Sequence, residues 1–96
     1  MPTFERTEEC VRNYRSLSKT QQAQFTPALQ RFVDDMKAGR RFRAGLRVKR
    51  VVGMEGCWEM TWAPDGRAIF MYGAEIRQGE PHIVWLAIGT HSIFPS

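Results

Sequence analysis

Apolar residues fall at helical spacing through the first half of the chain and at alternate positions through the second. Thr3 to Arg6 reads as a short edge strand. Cys10, Val11, Tyr14 and Leu17 then form one apolar stripe, which predicts a helix beginning near Thr7 or Glu8. Ser18-Lys19-Thr20-Gln21 has the form of a capping box, in which a hydroxyl and an amide each satisfy the other residue's backbone N–H, so a second helix starts there. Its face is Phe25, Leu29, Phe32, Val33 and Met36, and Gly39 is suited to stop it. Pro27 lies too deep for a first-turn proline and either kinks this helix or restarts it after Thr26.

From Leu46 onward the period becomes two. Leu46, Val48, Arg50 and Val52 alternate with Arg47, Lys49 and Val51, which predicts a strand followed by a turn at Gly53-Met54-Glu55-Gly56. The next strand runs from Cys57 to Ala63, with Trp58, Met60 and Trp62 on one face and Glu59 and Thr61 on the other. Pro64-Asp65-Gly66 is a hairpin turn, Arg67 to Gly73 a further strand, and His82 to Gly89 the last. Trp58, Met60, Trp62, Ile69 and Met71 are expected in the core, while Tyr72 fits either face. The fold class is α+β: two N-terminal helices packed on a twisted, mainly antiparallel sheet of four to five strands.

The 96 residues suffice for one domain with one core, so residues 1–96 are read as a single unit. No apolar run approaches a membrane span, and the start lacks the apolar stretch of a secretory signal, so a cytoplasmic protein without membrane contact is expected. Cys10 and Cys57 lack metal-site spacing and read as free thiols.

Charge changes the picture more than composition does. Residues 37–50 hold seven of the fourteen basic residues and no acidic one; the remainder carries seven basic against ten acidic residues, a net of −3. The positive excess therefore sits in one segment. It is a candidate phosphate-binding surface, although a solvated face or an acidic protein partner accounts for the charge equally well. Phe42 within it suits stacking on a base or anchoring the core.

The chain has two histidines, and one of them, His91, follows the last apolar strand together with Phe94. RNA cleavage through the 2′-hydroxyl needs a proton acceptor, cations for the charged phosphorane and a proton donor for the leaving 5′-oxygen. His91 offers the acid or base, since an imidazole titrates near neutrality. Arg67 offers a planar fork for phosphate oxygens, and Arg43, Arg47, Lys49 and Arg50 offer backbone contacts. Glu59 is a candidate base, or else the ion-pair partner of Arg47, Lys49 or Arg67. Asp65 is accounted for by its turn, and His82 by a strand-edge position.

The order of two helices, Leu-Arg-Val-Lys-Arg, Gly-Cys-Trp-Glu-Met-Thr-Trp, Asp-Gly-Arg-Ala-Ile-Phe-Met-Tyr and a final Ile-Gly-Thr-His-Ser-Ile-Phe resembles the RelE/ParE superfamily of bacterial toxins, its ending most like the YafQ-type branch. The resemblance spans nearly the whole chain. It implies a toxin neutralised by a cognate antitoxin, acting as a metal-independent, ribosome-dependent mRNA endonuclease that needs no cofactor. It further implies His91 and Arg67 as catalytic residues and Phe94 as a base-stacking aromatic; Asp65 aligns with an acidic residue of the YafQ branch, but its turn explains it fully. Glu59 and Thr61 stand where ribosome-dependent members carry lysines or a histidine. That departure keeps two other expectations open: a ParE-like inhibitor of DNA gyrase, and a degenerate member that only binds RNA or its antitoxin.

Overall fold

Thr7 ends one element and starts the next. Its backbone N–H donates to the Trp85 carbonyl and its hydroxyl to the Leu86 carbonyl, while the same hydroxyl oxygen accepts from the Cys10 N–H at 3.1 Å and caps a helix. The computed structural model describes residues 2–94. Strand β1 (Thr3–Arg6) leads into helix α1 (Glu8–Ser16) and helix α2 (Lys19–Lys37). A 3-10 turn (Ala44–Leu46) follows, then β2 (Lys49–Arg50), β3 (Cys57–Thr61), β4 (Gly66–Gly73), β5 (His82–Thr90) and a 3-10 turn over His91–Ile93. The sheet order is β1-β5-β4-β3-β2, antiparallel except where β1 runs parallel to β5.

The capping box is formed as the sequence predicts: Gln21 N–H donates to Ser18 Oγ at 3.1 Å, and Ser18 N–H to Gln21 Oε1 at 2.8 Å. Helix α2 runs through Pro27 without restarting, so the proline costs one backbone hydrogen bond and no helix. It ends at Ala38, and Gly39 takes the left-handed conformation, φ +68°, that a glycine adopts without strain.

The core lies between the helices and one sheet face. Phe25, Ala28 and Phe32 of α2 meet Met60, Ala68, Phe70, Ile83, Trp85 and Ile88. Phe32 is fully buried, with Phe42 stacked on it at 4.6 Å between ring centroids and Trp85 and Phe70 at 5.0 and 5.1 Å. Phe42 is thereby committed to the core. Arg50 lies over the Trp58 ring at 5.3 Å from the centroid.

Three strand expectations are corrected. The strand foreseen from Leu46 to Val52 shrinks to Lys49–Arg50, because Leu46 lies in a 3-10 turn and Arg47 adopts a left-handed conformation, φ +49°, that breaks the alternation. In consequence Val51, at 7% exposure, enters the interior and Val52, at 94%, does not. On β4 the helix-facing residues are Ala68 and Phe70. Ile69 is buried as expected, though on the opposite face of the sheet, whereas Met71 is exposed there instead of joining the core. Tyr72 is exposed, its ring edge-on to Trp58 and Phe70.

A bulge explains the phase of β5. Ile69 pairs with Ala87 but Phe70 pairs with Trp85, leaving Leu86 as an extra residue. Trp85 and Ile88, three positions apart, both reach the helices. Both cysteines are free, Cys10 buried and Cys57 half-buried, and burial raises the Cys10 thiol above the usual range. No helix among the described residues is long and apolar enough to cross a membrane.

Candidate active site

The face of the sheet away from the helices holds several of the candidate residues. Cross-strand pairing places Lys49, Glu59, Ile69 and Ala87 in one row and Thr61, Arg67 and Gly89 in the next. Directly opposed residues point to the same side of a sheet, so Glu59, Arg67 and Lys49 share a face.

Arg67 is nearly covered, at 11% side-chain exposure. Its Nη1 donates to the carbonyls of Gly66 at 2.9 Å and of Ala63 and Pro64 at 3.3 Å, and its Nε lies 4.0 Å from Glu59 Oε1. This cation knots the Pro-Asp-Gly hairpin together. Glu59 is buried beside it and, of the partners the sequence left open, the one it meets is Arg67.

His91 lies at the end of β5, where Gly66 opens β4 opposite Thr90. Its Nδ1 is 3.3 Å from Asp65 Oδ1, and its ring meets Phe94 edge-on at 5.7 Å. The imidazole is 59% exposed, with Asp65 also open to solvent. The carboxylate therefore orients the ring and leaves Nε2 free to face a bound molecule. Gly89 makes the turn possible: a Cβ there would lie 2.6 Å from Ile93 Cγ2. Thr90 caps the turn, its hydroxyl oxygen accepting from the Ser92 N–H.

His82, by contrast, is buried and bonded on both ring nitrogens, to Thr3 Oγ1 and Glu5 Oε1 at 2.7 Å each. It fastens β1 to β5.

The basic segment does not form one surface. Arg43 is taken up by Asp35: its backbone N–H and Nε reach Oδ2 at 2.9 Å and its Nη2 reaches Oδ1 at 2.8 Å, with Arg40 Nε at 3.0 Å from Oδ1. The Arg43 side-chain and backbone hydrogen bonds hold the Asp35 carboxyl far below the usual carboxylate range, and the side-chain bonds raise the Arg43 guanidinium. Lys49 and Arg50 belong to the β2 edge. Arg43 and Arg47 line a cleft of about 270 Å³ with Arg67, Thr61, Trp62 and Arg31 of α2.

Sequence reasoning passed over Asp35 and Arg31. The signal was present for Arg31, which on a helical wheel follows the buried Ala28 by three residues and borders the core stripe. A more apolar groove of about 450 Å³, floored by Cys10, Phe25, Trp85 and Ile88, lies on the helix side and holds no acid–base pair. Among the described residues, no three His, Cys, Asp or Glu side chains converge to hold a metal.

The sequence matches no family model and no curated protein. Its structure does match solved ones. A chain of the E. coli DinJ-YafQ toxin-antitoxin complex superposes with a TM-score of 0.69 at 11% identity, covering 99% of this chain and 98% of that one. A YoeB/ParE toxin from Agrobacterium tumefaciens gives 0.67 at 12% identity, over 93% and 98%. From two helices through a five-stranded sheet to the final turn, the chain has the same fold as these YafQ-complex and YoeB/ParE structures.

Proposed function

We propose that this protein is the toxin of a bacterial toxin-antitoxin pair and that it cleaves messenger RNA on the ribosome, without metal or cofactor, in the cytoplasm. The observation that carries the reading is the His91–Asp65 pair: an exposed imidazole with one nitrogen turned to a carboxylate and the other free, at the end of β5. The shared fold supports it. One of the matched structures is a toxin held by its antitoxin, and a cognate antitoxin is the partner proposed here.

In the proposed reaction the 2′-oxygen attacks the phosphorus and its proton passes to water. The bond from phosphorus to the 5′-oxygen breaks, and His91 Nε2 delivers a proton to that oxygen. Cyclic phosphate and a 5′-hydroxyl end result. Arg67 contributes positive potential and the rigidity of the hairpin that carries Asp65. Glu59 acts as the counter-ion of Arg67; its burial beside that guanidinium does not suit it to accept the 2′-proton. Phe94 stacks on a base next to the scissile bond, and Arg47, Lys49 and Arg50 face the RNA backbone, Arg43 being held by Asp35.

Expression of the wild-type chain without antitoxin is expected to arrest bacterial growth, whereas His91→Gln at equal protein level permits it. Equal arrest by both would remove His91 from the proposal.

A further inference from the structure

The cleft between α2, the Ala44–Leu46 turn and the β3–β4 hairpin is lined by four arginines, Arg31, Arg43, Arg47 and Arg67, and by no acidic residue. Two are already neutralised nearby, Arg43 by Asp35 and Arg67 by Glu59. The side chains of Arg31 and Arg47 have neither an ion pair nor a hydrogen-bond partner among the described residues. Arg47 is also the one non-glycine described residue with positive φ, so a strained backbone presents a free cation to this cleft. Thr61 adds a wall residue with a hydroxyl. Trp62, the remaining polar wall, has a buried indole N–H without a partner, the only such side-chain atom among the described residues.

Resting on the RNA reading above, we propose that this cleft binds a phosphodiester of the RNA strand other than the one being cleaved, with Arg31 and Arg47 as its ligands. About 270 Å³ is below the usual range for whole small-molecule ligands and suits a single charged group of a larger chain. Phosphate fits better than a protein carboxylate, because two free planar forks on different elements match an anion with several outward oxygens. Arg43, fixed by three bonds to Asp35, shapes the wall.

The test measures binding of a short 2′-O-methyl single-stranded RNA, which cannot be cleaved, to the full chain carrying His91→Gln, across a salt series. Arg31→Ala and Arg47→Asn are added singly, the asparagine because it tolerates positive φ. Arg77→Ala, in the exposed β4–β5 loop, is the control. Each cleft substitution is expected to weaken binding about three- to tenfold and to lower the slope of log K against log salt by about 0.7, with the control unchanged. Unaltered binding in both cleft variants overturns the proposal, as does an equal loss in Arg77→Ala, which signifies diffuse charge. RNA binding that ignores both arginines while an acidic peptide competes for them assigns the cleft to protein and likewise overturns it. Cleavage by the wild-type chain together with unaltered cleft variants removes the cleft alone; altered slopes without cleavage uphold the cleft and remove the nuclease reading.

Discussion

The imidazole of His91 stands 3.3 Å from the Asp65 carboxylate, so the end of the last strand is tied to the turn between β3 and β4, twenty-six residues earlier. Both groups are solvent-exposed, and the pair adds little to stability. Its effect is on ring orientation. Asp65→Asn is expected to reduce RNA cleavage by about tenfold with the melting temperature nearly unchanged. A variant as active as wild type would leave the carboxylate to the turn alone.

Gly89 and Ile93 set where that histidine stands. A side chain at 89 collides with Ile93 Cγ2, so the 3-10 turn carrying His91 must move. Gly89→Val is expected to lower cleavage more than stability, and pairing it with Ile93→Ala to recover much of the loss. Activity and melting temperature measured on both variants decide it; a double variant no better than the single one speaks against the turn as the positioning device.

Arg67 cannot be replaced by lysine, because its Nη1 and Nε serve three carbonyls and a buried carboxylate from a planar head. Arg67→Lys is expected to destabilise by about 1–3 kcal/mol in urea unfolding, through unmade bonds to the hairpin carbonyls and Glu59. Cleavage should fall in parallel. Full stability in this variant would contradict the structural role.

Asp35 gives the chain an acid-sensitive joint. Its folded carboxyl titrates far below an unfolded aspartate, first because of the Arg43 side-chain bonds, then the Arg43 backbone bond. A depressed carboxyl stabilises the fold fully above the unfolded value of about 3.9 and loses that contribution as pH falls toward the folded one. Urea unfolding of wild type and Asp35→Asn is therefore expected to differ most near neutrality and to converge below about pH 4. A difference independent of pH across that window would contradict the assignment.

Elements with local signals were legible in the sequence: the Ser18 capping box, the Gly39 stop, the Pro-Asp-Gly hairpin and the order of the strands are formed as read. What could not be read depended on tertiary phase. The Leu86 bulge moves Ile88 onto the face of Trp85, and strict alternation cannot anticipate an inserted residue. The left-handed Arg47 cuts short a strand that the pattern of Leu46, Val48 and Val52 favoured, since such a conformation is rare outside glycine. At the site, residue types were visible and their engagements were not. Arg43 and Arg47 look alike in a basic run, yet one is spent on Asp35 from α2 and the other is free.

The central claim is tested most directly by primer extension on a translated message incubated with ribosomes and purified protein. Wild type is expected to produce discrete cleavage ends and His91→Gln to lower their rate by about 10²- to 10⁴-fold. Equal cleavage by both proteins, or inhibition of DNA supercoiling by a wild-type chain that leaves the message intact, would contradict it.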